Sequence, residues 1–190
     1  MDVDPVDPIM DRLLLVELQA RVEGNRRRAG ALRFPLAAIG VANVLAAGWC
    51  LLAGRDHLLG FYAPVLAVVV LASRHHFRRL AQRHGVLLPI RAWVLAACGL
   101  AVASAAVSRL GAALGATVLE EVGPSLVWVL GYHVLGWWGH NRALVAATIV
   151  MLPSTAVLAT LASGDGLVAA QLAVNGLLVG VAALSTAELT

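Results

Sequence analysis

Two adjacent carboxylates, Glu120 and Glu121, stand alone in a long apolar stretch, with no other Asp or Glu between Asp56 and Asp165. An acid held in apolar surroundings can carry a proton or bind a cation, so this pair is the first place to look for chemistry. As a catalytic acid or ion ligand, one of them would have to turn inward toward a partner such as His133 or Tyr132. The plainer use is electrostatic: beside the first turn of a helix a carboxylate is stabilised by the helix dipole, and Pro124 suits that turn.

Downstream, Trp128, Tyr132, His133, Trp137 and Trp138 gather aromatic groups with polar tips. Trp128 and Tyr132 could line a pocket for an apolar or cationic ligand, whereas Trp137 and Trp138, just before His140-Asn141-Arg142, read as an interfacial aromatic belt. His133 lies about two turns deeper and is either a ligand or relay, or a hydrogen-bonded core residue. Gln171 and Asn175 are four residues apart and share a helix face, and Asn43 sits at the middle of another apolar run. Such amides either bind a polar substrate or hold helices together.

Other chemistries find no residues. His75, His76 and His84 stand among Arg74, Arg78, Arg79 and Arg83, whose charge opposes a metal cation. Cys50 and Cys98 lie in apolar runs without CxxC or Cys/His spacing, so neither a disulfide framework nor a zinc site is indicated. HExxH, GxSxG, P-loop and DDxxD-like patterns are absent, which removes the usual enzyme readings and implies no cofactor and no metal.

The elements that must carry these residues are set by the solvent. The chain of 190 residues is 60% hydrophobic and 13% charged, with a mean hydropathy of +0.83. Six crossings of about 20 residues each use nearly two thirds of it and exclude a sizeable soluble catalytic domain. The apolar runs place spans at 34–53, 58–73, 86–107, 122–138, 143–162 and 166–187. Putting Glu120 and Glu121 at mid-bilayer would cost roughly 2.5–3.5 kcal/mol each, so the fourth span is started after them and 110–119 is left as an outer or re-entrant segment.

Residues 1–33 form a cytoplasmic leader. Asp7-Pro8 resembles an N-cap with proline at the first helical position, and a helix over 8–22 carries Ile9, Leu13, Val16 and Ala20 as one apolar stripe, ended by Gly24-Asn25. That stripe suits a soluble cytoplasmic partner. All 14 basic residues are arginines; twelve fall on the segments assigned to the cytoplasm, and only Arg55 and Arg109 outside. This bias orients an even number of spans with both termini in the cytoplasm. The arginine-rich segments read as contacts with anionic lipids and as topology signals rather than as a nucleic-acid surface. Gly176 and Gly180 form a GxxxG that permits close helix approach or a homo-oligomer.

Pro35, Trp49 and Pro64 recur 89 residues later as Pro124, Trp138 and Pro153, a spacing that either marks an inverted repeat of three spans, as in transporters, or is coincidence. The run GPSLVWVLGYHVLGWWGHNRAL, from Gly123 to Leu144, together with the arginine-rich leader, resembles small polytopic membrane proteins of actinobacteria whose function is uncharacterised. The resemblance implies membrane location and no site.

The expectation is therefore an all-α polytopic bundle of about six membrane-spanning helices in the cytoplasmic membrane, with no recognisable catalytic motif. It would work as a small transporter or as a membrane sensing or docking component. The competing class is an intramembrane enzyme acting on a lipid or isoprenoid, with Glu120 or Glu121 as its acid.

Overall fold

The computed structural model describes residues 8–84 and 90–186, and all regular structure among them is helical. Seven α-helices follow one another: α1 (Pro8–Ala31), α2 (Arg33–Ala53), α3 (Leu58–His84), α4 (Ile90–Leu114), α5 (Thr117–Trp138), α6 (Arg142–Leu161) and α7 (Gly164–Leu184), with a single 3-10 turn, Arg55–His57, between α2 and α3. Five of them, α2, α3, α4, α6 and α7, contain stretches long and apolar enough to cross a membrane, which points to a membrane protein. Helix α5, of 22 residues, carries Glu120, Glu121 and His133 and falls outside that set.

Packing is uneven. Helix α2 runs antiparallel along α7, α4 runs along α5, and α6 bridges α5 and α7; α3 leans on α2 and hardly meets α4. Helices α2 and α7 approach closely near their middles, where a Cβ on Gly40 would lie 2.8 Å from the Gly176 carbonyl oxygen and 2.9 Å from the Gly180 nitrogen. Only residues without side chains let backbones meet this way in lipid, where close packing takes over the part hydrophobic burial plays in water. Gly176 and Gly180 thus serve a contact within the chain. The main core lies in the half of the bundle nearer the start of α2 and joins Leu32 and Leu36 to Val129 and Tyr132 of α5, Leu144 and Met151 of α6 and Val179 of α7.

Four boundaries differ from the sequence reading. Helix α1 does not end at Gly24-Asn25 but continues to Ala31, because a glycine ends a helix only when it takes up the left-handed region, and the positive-φ glycines among the described residues are Gly54, Gly115 and Gly164. Its apolar residues do not make one stripe either. Leu14, Leu15, Leu18 and Val22 are all more than half exposed, and at 100° per residue they face well away from Val16 and Ala20; the side chains of Ile9 and Leu13, and Asp7 as a cap, lie outside the described residues. Helix α3 does not stop at Ser73 but runs on through the arginines to His84, a stretch of good helix formers with no glycine or proline. Finally, 110–119 is no separate segment: α4 continues to Leu114, Gly115 turns the chain at φ 64°, and α5 begins at Thr117 with Glu120 in its first turn. The paired prolines do not sit at matching helix positions: Pro35 is the third residue of α2 and Pro124 the eighth of α5, Pro64 the seventh of α3 and Pro153 the twelfth of α6.

Candidate functional site

The sequence candidates fall into three groups at three levels of the bundle. At the end where α5 and α7 begin, Arg55 reaches across from the short turn after α2. Its Nη2 donates to Glu120 at 3.0 Å and its Nη1 to Glu121 at 3.2 Å, while its Nε stands 4.0 Å from Asp165. The Arg55 backbone N–H also donates to Asp165 at 3.3 Å, and the Gly164 N–H donates to Glu121 at 3.1 Å. A guanidinium suits this place because its planar fork serves two carboxylates at once. The carboxylates therefore join the loop after α2 to the first turns of α5 and α7. His133 is twelve residues along α5 from Glu121, about 18 Å at helical rise, so neither carboxylate meets it.

Halfway along the helices lies the second group. The Tyr62 hydroxyl of α3 donates to Asn43 Oδ1 at 2.8 Å, and Asn43 Nδ2 reaches the Tyr132 oxygen at 3.5 Å. Trp128 packs one turn away, its ring centroid 6.0 Å from that of Tyr132. On the same face of α5, Ser125 accepts from Asn175 of α7 at 2.9 Å. Asn43, Tyr132, Gln171 and Asn175 are all buried, and Gln171 Nε2 has no partner among the described residues. The third group is at the opposite end of α5, where Trp137 donates to His133 at 3.0 Å and His133 lies 2.8 Å from Thr148 of α6.

No family model, curated protein or solved structure matches the chain. The site must be argued from its own geometry. Glu120 and Glu121 come together with each other and with Arg55; Asn43, Trp128 and Tyr132 come together with Tyr62; His133 joins neither. Among the described residues, no group of three or more His, Cys, Asp or Glu is arranged to hold a metal ion, and a shallow hollow of about 510 Å³ on α1, lined by Glu17, Ala20, Arg21, Gly24 and Asn25, includes none of the candidates.

Sequence reasoning missed Arg55, Asp165, Tyr62, Ser125 and Thr148. Arg55 left one signal: it is one of only two arginines assigned to the outer face, and the carboxylates there needed a cation. Tyr62 and Thr148 left none, since a lone hydroxyl in an apolar run says nothing of the neighbour it will meet.

Proposed function

We propose that the chain is a six-span protein of the cytoplasmic membrane, with both termini in the cytoplasm, that works as a sensing or docking component. The twelve-to-two arginine bias supports the orientation. A sixth crossing by α5 is supported by its 22 residues and by the partners its polar groups find inside the bundle, Arg55 for Glu120 and Glu121, Asn175 of α7 for Ser125, Asn43 of α2 for Tyr132 and Thr148 of α6 for His133. The arginines at the inner ends of α1, α2 and α3 would then meet anionic headgroups.

The observation that carries the docking role is α1. It is a helix of 24 residues whose main packing among the described residues is at its junction with α2, and Leu14, Leu15, Leu18 and Val22 expose 55–66% of their surface over a sector of about 100°, the width of an ordinary helix–protein contact. The polar groups in the spans are largely matched to one another, which supports a packed frame over a transport path. The competing reading of an intramembrane enzyme gains no support, because Arg55 holds both candidate acids at one end of the bundle while Trp128 and Tyr132 lie deeper.

A photo-crosslinking amino acid placed in living cells at Leu14, Leu18 or Val22, with Glu17 and Arg21 as control positions, tests the reading. A discrete protein adduct at the apolar positions and not at the controls is expected. Adducts with lipid alone, or equal adducts at all five positions, would overturn it.

A further inference from the structure

Helix α6 begins at the inner end of the bundle, in a turn that packing fixes. His140 takes φ 51°, and the Asn141 N–H donates to the Gly136 carbonyl at 2.8 Å. Gly136 must be bare for the turn to close, since a Cβ there would lie 2.8 Å from Val145 Cγ2 and 3.0 Å from the Val145 nitrogen. Asn141 is the N-cap: its Oδ1 accepts from the Leu144 N–H at 3.0 Å, and its backbone carbonyl accepts from the Val145 N–H at 3.1 Å. That leaves the Arg142 and Ala143 N–H groups as the open donors of the first turn.

This helix end is built to attract an anion. The first turn of α6 contains no acid, whereas α5 and α7 carry Glu120 and Asp165 in theirs, so the positive end of the α6 dipole is uncompensated. Asn141 is 1% exposed and its Nδ2 has no acceptor. Because Oδ1 of the same small amide lies over the first turn, that orphan donor sits at the helix end as well. The side chains of His140 and Arg142 flank it, both exposed. Carboxylates of the described residues stand elsewhere. Glu120, Glu121 and Asp165 meet Arg55 at the opposite end, with Asp56 beside them in the chain, and Glu23 of α1 lies nine residues before Leu32, about 13 Å along the helix.

We propose that the start of α6 is a phosphate-binding site: the Arg142 and Ala143 N–H groups and the Arg142 guanidinium hold the phosphate group of an anionic molecule, with the Asn141 amide behind them. Main-chain N–H groups at a helix start converge on one point and suit a tetrahedral oxyanion, and a guanidinium adds paired, charge-assisted bonds. In the proposed orientation this end lies at headgroup depth, beside the exposed indoles of Trp137 and Trp138. The membrane then supplies the phosphate of an anionic phospholipid, and the cytoplasm supplies free phosphate as the other source. The lipid source rests on the six-span reading; the site itself does not.

Amide NMR of the purified, nitrogen-15-labelled full chain in maltoside micelles tests it. Dihexanoyl phosphatidylglycerol should move the Arg142 and Ala143 amide resonances downfield to saturation, while dihexanoyl phosphatidylcholine, equal in chain but neutral overall, should leave them nearly in place. Inorganic phosphate separates the sources: saturation at similar concentration assigns the site to free phosphate, and weaker binding assigns it to the lipid. Arg142→Gln should weaken binding about tenfold, the loss of one charge-assisted pair. Asn141→Asp is the sharper change. Aspartate caps a helix as well as asparagine does, so the Leu144 amide stays capped and reports an intact turn, but the donor is gone and a like charge faces the anion; binding should be lost. Resonances that no probe moves, equal shifts with the two lipids, or undiminished binding in Asn141→Asp overturn the proposal. None of these readouts involves α1 or the sidedness of the membrane, so failure of the docking role is read separately.

Discussion

Helices α7 and α3 are both long and apolar, yet 44% of the most apolar stretch of α7 is buried inside the protein and none of that of α3. Apolarity does not explain the difference. In lipid, leucine and valine gain little by leaving acyl chains for another helix, and association follows from close backbone approach and from polar groups that need partners. Helix α7 has both: Ala169, Gly176 and Ala183 against α2, with Gln171 and Asn175 turned inward. Helix α3 offers Val68, Leu71 and their neighbours to the outside and touches the frame mainly through Tyr62 and, at its far end, Phe77.

The sharpest way to break this contrast is to fill the α2–α7 contact. In Gly176→Val a Cβ would sit 2.7 Å from the Gly40 carbonyl oxygen and 3.0 Å from Asn43 Cβ, with backbone on one side that cannot yield. A loss of about 3 kcal/mol or more is expected, at the upper end of overpacking costs, read as a fall in the unfolding midpoint in mixed micelles. Gly48→Val serves as the control on α2, because a Cβ there meets nothing within 4 Å. Equal effects at both positions would mean that the close approach is not what holds α7.

The ionic joint comes next. Arg55→Ala strips the cation from Glu120 and Glu121, whose side chains are 26% and 15% exposed. A cost of about 2 kcal/mol is expected, between the values for exposed and fully buried pairs. Arg55→Lys should recover only part of it, because an ammonium cannot fork to two carboxylates. In a Glu120→Gln/Glu121→Gln background the same Arg55→Ala change should cost clearly less; an unchanged cost would show that Arg55 acts through Asp165 and the backbone instead.

At mid-depth the expected effect is smaller. Tyr62→Phe removes the donor to Asn43 Oδ1 and with it the main polar hold of α3 on α2, for about 0.6 kcal/mol and at most about 1.7. The same unfolding assay checks it, and accessibility of a cysteine introduced on the Tyr62 face of α3 to a membrane-soluble maleimide should rise alongside.

These contrasts mark how far the sequence could be read. The helical class and the starts of α2, α3 and α6 were legible, because apolar run length and turn residues such as Gly54 and Asn141 act locally. The end of α3 was not, since an arginine-rich stretch ends a membrane span without ending a helix. Glu120 and Glu121 were recognised as singular and correctly kept near a helix start, but Arg55, 65 and 66 residues away in the chain, could be joined to them only by the fold. Gly176 and Gly180 were visible as a close-approach motif, yet Gly40 on a distant helix decides that its partner is α2.

The smallest prediction sits on α3 itself. Leu71 is 65% exposed, so in water Leu71→Ala would be a mild surface change and in a soluble core a loss of 2–5 kcal/mol. In the proposed membrane setting the side chain would face lipid in folded and unfolded-but-inserted states alike, so its removal would subtract the same contact from both. A change within about 0.5 kcal/mol is therefore expected, below that of Tyr62→Phe on the same helix. If Leu71→Ala instead costs more than Tyr62→Phe, then its face of α3 is covered in the membrane by protein, and α3 would be an interface helix of an assembly in place of a lipid-facing flank.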